Sequence, residues 1–506
     1  MTPQSASRLA GVLRLLALPF AGALQTFTFS PWHLWWLAIP SLLLVLWVCL
    51  PMTPRQLLRA GWLFGLGLFG SGVSWVYISV HDYGSASVPM AGALTLIFVA
   101  GLALFPLLTF WLWGKLAGPS QARRLWLFPA LWVLGDWLRG WLLTGFPWLY
   151  LGTAHVDGPL AGWAPLVGVH GITLLLLASS ALLWRLISLR KRPTLAALAG
   201  VLAAAPWLAG LMLQPVQWTT PLGKPLSVVT MQGNIPQMLK WDPEFLGQQI
   251  RIYLDLTEEN WTQDLILWPE TAIPLPHDQA EPLLEHLREE LAAGNGTLIT
   301  GIPWYGYDER VQRMTYHNSM TALGNGSGYY HKQKLVPFGE YVPLENWVRG
   351  LIAFFDLPMS SFTRGPAQQS PLRVNTHAVM PFVCYEIAYP DFVARLARGT
   401  HYLVTVSNDA WFGASIGPIQ HLQIARMRAL ETGRYILRGT NNGVSALIDP
   451  QGRIIARTGQ FTREILRGEL QPVQGDTPYM QSGSWPVLTL ALILIVFCRE
   501  RRQASA

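Results

Sequence analysis

Val379-Met-Pro-Phe-Val-Cys-Tyr-Glu386 is an apolar run that ends on a thiol and a carboxylate. It reads as a buried strand that delivers Cys384 to a turn, ahead of a helix-like stretch at Tyr389–Ala397. Working outward, similar short runs rich in β-branched residues stand at Leu226–Met231, Leu265–Trp268 and Tyr402–Val406. Helical patterns separate them at Pro243–Glu259, Gln279–Ala293 and Gly417–Arg434. Strands alternating with helices predict a mixed or parallel sheet covered by helices. Polar residues at the C-terminal ends of such strands are where α/β folds place a site.

The rest of the chain has a different character. Of 506 residues, 51% are hydrophobic and only 13% are charged, against about 25% charged in an average soluble domain. A membrane span needs roughly 20 mostly apolar residues. Candidates lie near 9–27, 31–50, 60–80, 89–114, 124–143, 162–187, 194–213 and, shorter, 484–498. The first also fits a signal peptide, with Arg8 ahead of the apolar run and small residues behind it. Arg55 and Arg59, then Lys115, Arg123 and Arg124, then Arg190, Lys191 and Arg192 fall in every second connection, and the alternate connections contain no Lys or Arg. The positive-inside rule then puts Arg8 and the C-terminus in the cytoplasm and the α/β region outside. The expected organisation is a transmembrane domain of about seven helices over 1–213, an extracytoplasmic catalytic domain over 214–482, and a last helix with a cytoplasmic tail over 483–506. The net charge of +7 does not imply nucleic acid, because these basic residues sit at span ends and no basic stripe with interleaved aromatics occurs.

Three segments of the α/β region carry candidate chemistry. Leu265-Ile-Leu-Trp-Pro-Glu270 ends a strand on a carboxylate. Tyr330-His-Lys-Gln-Lys-Leu-Val-Pro-Phe-Gly-Glu-Tyr341 sets Lys332 and Glu340 around a Pro–Gly turn. The third is the opening stretch with Cys384. Cys384 is the one cysteine of three outside or away from an apolar span, so an internal disulfide in this region is excluded and a nucleophile becomes a reasonable role. Taken singly, each residue has an ordinary explanation: a helix cap or solvated loop carboxylate for Glu270, a snorkelling surface lysine for Lys332, a small core hydrophobe for Cys384. A thiol with a reference pKa near 8.5 needs a base or a cation to become nucleophilic, and the three segments together offer both. No Cys/His cluster has zinc spacing, and no P-loop or GxGxxG opens a helix; neither metal nor cofactor is expected.

These segments, with GFPW at Gly145–Trp148, GNIPQ at Gly233–Gln237, SNDAWFG at Ser407–Gly413, QHLQIARMRALETGR at Gln420–Arg434 and TNNGVSALIDPQG at Thr440–Gly452, resemble the carbon–nitrogen hydrolase (nitrilase) superfamily. The similarity extends over nearly the whole chain to its membrane branch, the apolipoprotein N-acyltransferases. The resemblance implies a multi-span helical membrane domain joined to an α/β nitrilase-type αββα sandwich. It implies Glu270 as general base, Lys332 as the cation of the oxyanion site and Cys384 as nucleophile, with Glu340 and Glu386 in support. The family often has His where this chain has Lys334. Of the two lysines, the spacing to Glu340 that the family shows selects Lys332. The backbone N–H of Tyr385 is a further candidate oxyanion donor. The resemblance also implies acyl transfer from a phospholipid, with phosphatidylethanolamine the expected donor, through a cysteine thioester to the α-amine of a diacylglyceryl lipoprotein, on the periplasmic side of a bacterial inner membrane.

Trp241, Asn408 and Trp411 are candidate substrate contacts. The apolar stretch 347–362, with Phe354 and Phe355, fits either a lid that dips toward lipid or core filling. Phe146 and Trp148 fit a lipid entrance or an ordinary interfacial aromatic belt. Asp136 and Arg139, three apart on one helix, are expected to pair with each other, and His421 is expected to be structural. Two rival readings use the same residues: a membrane-tethered small-amide hydrolase with water as acceptor, and a transporter or lipid receptor with an inactive external domain.

Overall fold

The computed structural model describes residues 3–309, 312–341 and 362–499. The chain divides into two compact units. One comprises 1–77, 87–216 and 482–506; the other comprises Gln217–Gln481 together with the segment Ile78–Ala86.

The first unit is helical. Its helices are α1 (Pro3–Thr26), α2 (Ala38–Cys49), α3 (Pro54–Gly72), α4 (Val88–Leu102), α5 (Leu104–Ala117), α6 (Gln121–Arg139), α7 (Ala164–Ser188) and α8 (Pro193–Leu213), with a C-terminal helix at Trp485–Cys498. Helix α3 starts on a capping box: Thr53 Oγ1 accepts from the Gln56 N–H, and Gln56 Oε1 accepts from the Thr53 N–H at 2.8 Å. Three helical stretches among the described residues are long and apolar enough to cross a membrane: Val88–Ala117, Pro159–Ser188 and Pro193–Leu213. A fourth results if Pro54–Gly72 and Val76–Tyr83 are taken as one span bent by 64°. The sequence reading expects an unbroken span over 60–80. The break follows Gly70-Ser71-Gly72, a run of poor helix formers. Helix α6 carries Arg123, Arg124, Asp136 and Arg139, and the apolar stretches Trp35–Cys49 and Trp485–Cys498 are shorter. Helices α1 and α3 touch backbone to backbone, as small residues in apolar helices allow: a Cβ on Gly67 would lie 2.0 Å from the Pro19 carbonyl oxygen. The C-terminal helix packs Val487 and Leu488 with Val133 of α6 and Leu174 of α7.

The second unit is built on strands β1 (Leu226–Gln232), β2 (Leu265–Leu267), β3 (Thr297–Asp308), β4 (Arg313–Gly324), β5 (Gly326–Ser327), β6 (Tyr329–His331), β7 (Leu372–Val374), β8 (His377–Val383), β9 (Tyr402–Ser407), β10 (Ile436–Thr440), β11 (Ala446–Ile448), β12 (Ile454–Arg457) and β13 (Glu464–Leu470). They form a six-stranded sheet in the order β13-β1-β2-β3-β4-β6 and a seven-stranded sheet in the order β12-β11-β10-β9-β8-β7-β5. Parallel pairing is confined to the centre of each sheet, β1–β2–β3 and β8–β9–β10, where strands buried on both faces read as continuous apolar runs.

Strand alternation sorts the side chains of the six-stranded sheet. Val229 and Met231 of β1, Ile266 of β2 and Leu298 of β3 meet Ile252 and Tyr253 of α9 (Leu246–Thr257) and Leu284, Leu287 and Leu291 of α10 (Glu281–Gly294). The other face meets the second sheet. Gln232, at the end of β1, is a polar pin between the two: its Oε1 accepts from Ser445 Oγ at 2.8 Å, Thr458 Oγ1 at 2.8 Å and Thr440 Oγ1 at 3.1 Å. Helices α11 (Pro390–Leu396) and α12 (Gly417–Thr432) follow β8 and β9 in the seven-stranded half. This is the layered α/β arrangement expected from the alternation of elements. Strands and helices fall within a few residues of the sequence-based bounds.

Candidate catalytic site

Three strand ends carry the titratable residues. Glu270 follows β2 across Trp268-Pro269, and the chain then turns through Thr271 at φ +50°. The turn lies directly on β3. A Cβ on Gly301 would sit 2.4 Å from the Thr271 nitrogen and 2.8 Å from Glu270 Cα, so only glycine permits this approach. Lys240, 5% exposed, donates from Nζ to the Glu270 carbonyl oxygen at 2.8 Å. Its pKa is pushed down to about 8 by burial, against the opposing charge of Glu270.

Lys332 follows β6 and is 1% exposed. Its Nζ lies 2.8 Å from Glu340 Oε1 and 3.5 Å from Glu270 Oε1. Burial alone would lower its pKa, but Glu340 and then Glu270 hold it above the ordinary lysine value. Asn318, in mid-β4, joins the two carboxylates, with Nδ2 donating to Glu270 Oε1 at 2.7 Å and to Glu340 Oε1 at 3.0 Å. The remaining oxygens are also bound: Glu270 Oε2 accepts from the Asn408 N–H at 2.9 Å and Glu340 Oε2 from the Val336 N–H at 2.8 Å. Lys334 points elsewhere, its Nζ standing 5.0 Å from the Tyr389 ring centroid and 5.6 Å from that of Phe392. Both lysines lie beyond the end of β6 at His331, so the rule that puts residues two apart on one strand face does not apply, and the two side chains diverge.

Cys384 follows β8 directly and lies in the left-handed region, at φ +52°. A non-glycine residue held there is uncommon and costs free energy, and here several contacts maintain it. His421 Nε2 lies 3.1 Å from the Cys384 carbonyl oxygen. Two residues on, the fully buried Glu386 accepts from the N–H groups of Val383 at 2.8 Å, Gln333 at 2.7 Å and Lys334 at 3.1 Å, and from the Tyr330 hydroxyl at 2.9 Å. Glu386 thereby ties the cysteine turn to the lysine segment. Burial pushes its pKa up to about 7 against those donors. The Cys384 thiol is pushed up to about 12, by burial first and then by Glu270, with Lys332 opposing. A free thiolate is therefore not the resting form.

The candidate substrate contacts are distributed as follows. Asn408 also donates from Nδ2 to Gln237 Oε1 and accepts from Asn441 Nδ2 at 3.2 Å, which ties the GNIPQ segment to the site. Trp241 is half-buried next to Lys240. Trp411 packs on Tyr83 at 5.6 Å between ring centroids, and its carbonyl oxygen accepts from Ser79 Oγ at 2.6 Å. Tyr385 is buried, with its ring 5.2 Å from that of Tyr389. Phe146 and Trp148 belong to the helical unit. Their carbonyl oxygens accept from Arg139 Nη1 at 2.8 and 2.5 Å, Arg139 pairs with Asp136 at 2.8 Å, and Trp148 is buried against Trp75. Asp136 and Arg139 pair as expected, and Arg139 also secures the GFPW loop. Phe354 and Phe355, with the stretch proposed as a lid, lie outside the described residues.

Sequence reasoning passes over Asn318, Lys240, Ser407 and Arg438. Lys240 lies three residues beyond a quoted motif, which is the one signal that points to it. Among the described residues no group of three or more His, Cys, Asp and Glu side chains could hold a metal ion.

Comparison with known proteins gives the family. Residues 21–182 match the apolipoprotein N-acyltransferase N-terminal domain, and residues 227–477 match the carbon–nitrogen hydrolase family. An apolipoprotein N-acyltransferase of Azotobacter vinelandii is 49% identical over 97% of this chain and 95% of its own. The chain belongs to the apolipoprotein N-acyltransferase family. Relatives from Pseudomonas syringae pv. tomato and Methylococcus capsulatus, with the same family name, are 48% and 42% identical over 95% and 97% of this chain, and over 95% and 97% of their own. The two matched regions fall one in each structural unit, apart from the segment Ile78–Ala86.

Proposed function

We propose that this enzyme performs the N-acylation step of lipoprotein maturation by two successive acyl transfers through Cys384. The observation that carries the mechanism is the Lys332 ammonium, buried between Glu270 and Glu340 and electrostatically coupled to the Cys384 thiol. Because the thiol is held protonated, deprotonation accompanies attack. Cys384 Sγ bonds to the carbonyl carbon of a phospholipid ester as its proton passes to Glu270. Lys332, joined by the Tyr385 N–H, meets the negative charge that develops on the carbonyl oxygen; one such donor is typically worth about 3–4 kcal/mol of barrier. The C–O bond breaks, the leaving oxygen takes the proton from Glu270, and a lysophospholipid departs from a thioester. The α-amine of a diacylglyceryl-cysteine then bonds to the thioester carbonyl carbon and gives a proton to Glu270; the C–S bond breaks, the sulfur takes that proton to restore the thiol, and the N-acylated product departs. Glu340 and Asn318 keep Lys332 and Glu270 apart from full neutralising contact, so that the base retains reactivity.

In this reading the helices of the first unit span the inner membrane, residues 214–482 lie on the periplasmic side, and phosphatidylethanolamine is the donor. The charge alternation of the connections supports the orientation.

The test is intact-mass spectrometry of the wild-type protein, Cys384→Ala and Glu270→Gln after incubation with phosphatidylethanolamine alone. Wild type should gain one acyl chain, removable by hydroxylamine, and Cys384→Ala none. Release of free fatty acid without a retained adduct would point to water as the acceptor and to a hydrolase. Neither adduct nor free acid would overturn the phospholipid-donor mechanism.

A further inference from the structure

Beneath the cysteine lies a buried polar line that the acyl-transfer steps do not use. Ser407, at the end of β9, has its Oγ 3.6 Å from Cys384 Sγ and also hydrogen-bonded to Asp409 Oδ1. Asp409 Oδ2 accepts from Arg438 Nη2 at 2.7 Å, and all three side chains are 0–1% exposed. His421 Nδ1 lies 3.2 Å from the same Arg438 nitrogen and 3.1 Å from Asp409 Oδ1.

The proton positions follow from counting donors. Burial alone would raise the Asp409 pKa, but Arg438 and then His421 hold it well below the usual carboxylate range, so Asp409 is an anion. Burial and then Arg438 hold His421 below the usual imidazole value, with Asp409 opposing. The His421 Nε2–H donates to the Cys384 carbonyl, and Nδ1 lies between Arg438 and the Asp409 carboxylate. A serine hydroxyl has one proton and two lone pairs. A buried carboxylate binds that proton more strongly than a neutral sulfur does. The Ser407 proton is therefore committed to Asp409, and a lone pair is what faces the sulfur.

The geometry points to Ser407 as the acceptor of the Cys384 S–H bond, with Asp409 and Arg438 as positioning residues that keep its proton turned away. This line holds the nucleophile as a thiol until substrate and base act together. The inference rests on Cys384 being the reactive thiol. The charges acting on the sulfur are Glu270 and Asp409, which favour the thiol, and Lys332 and Lys240, which favour the thiolate. The consequence is a nucleophile that resists oxidation and stray alkylation between turnovers, since those reactions need thiolate.

Two measurements on the full-length protein test this without requiring acyl transfer. The first is the pH dependence of Cys384 alkylation by iodoacetamide, resolved from Cys49 and Cys498 by peptide mass spectrometry. Ser407→Ala removes the acceptor, so the inflection should move down by on the order of one pH unit, giving about a tenfold faster reaction near neutral pH. An unmoved inflection, or one that moves up, as loss of a donor to sulfur would cause, overturns the inference. The second is the infrared S–H stretch of Cys384, identified by its disappearance in Cys384→Ala. In wild type it should lie at the lowered frequency of a donating thiol and rise in Ser407→Ala. A free-thiol frequency in the wild-type protein would overturn the inference even if the Ser407 variant failed to fold.

Discussion

Replacing Asn318 by alanine removes the amide that holds the two buried carboxylates of the site in register. The lost contacts are the donors to Glu270 Oε1 at 2.7 Å and to Glu340 Oε1 at 3.0 Å. Hydrogen bonds to charged groups are worth about 1.5–3 kcal/mol each, which brackets the combined loss at about 3–6 kcal/mol. The lower end applies here, because Glu270 keeps the Asn408 N–H and Lys332 keeps Glu340. About 3 kcal/mol corresponds to roughly a hundredfold slower acylation of Cys384. The assay is single-turnover thioester formation on rapidly quenched protein, followed by intact mass, with melting temperature measured alongside. Asn318→Asp adds a diagnostic. Ionised, it places a third carboxylate beside one ammonium; protonated, it can donate again. Its neighbours raise its pKa, so its activity relative to wild type should recover as pH falls toward about 5. An alanine variant within about threefold of wild type, where 1.36 kcal/mol is a factor of ten, or an aspartate variant with no such recovery, would refute the account of Asn318 as the bridge.

Two further outcomes follow from the packing and the charges. Gly301→Ala should displace Glu270, since the new Cβ would meet main-chain atoms that cannot yield; the cost of such overpacking is about 1–3 kcal/mol, and thioester formation should fall further than the melting temperature suggests. Normal acylation by Gly301→Ala would contradict the described fit. Asp409→Asn should destabilise the protein by about 3–5 kcal/mol near pH 7, because it leaves the buried Arg438 uncompensated. The native Asp409 pKa lies below the unfolded value of about 3.9. Its stabilisation is therefore present above that value and is lost as pH falls through the native pKa. Denaturation in detergent at several pH values checks the sign, and a difference that vanished already between about pH 7 and pH 5 would exclude this assignment.

The elements and the motif residues were legible because they use signals that lie close together in sequence. An apolar run ending in Pro269-Glu270, or in Cys384, declares both the strand and the polar residue at its tip. Asn318 and Arg438 carry no such signal. Each lies within a strand, and the partner that gives it meaning is distant: Asn318 and Glu270 are 48 positions apart, and Arg438 and Asp409 are 29 apart. Alternation says which face a side chain takes, but not which of the polar residues on the inner face will find a charge there. His421 shows the same limit. Read as structural, it does hold structure, and what it holds is the carbonyl of Cys384. In the helical part, apolarity alone marked the helices but not the bend after Gly72, which depends on three weak helix formers rather than on any loss of hydrophobicity.

The segment Ile78–Ala86 has a consequence for how the protein is made. Ser79 bonds to a carbonyl 332 positions later in the chain, and Tyr83 covers Trp411. The second unit is thus not one uninterrupted stretch of gene. On the ribosome this small piece emerges long before the sheets that it will join, and it must wait, tethered between helices, until they fold. A soluble fragment cut to begin near Gln217 would be complete in its strands and still lack part of its wall.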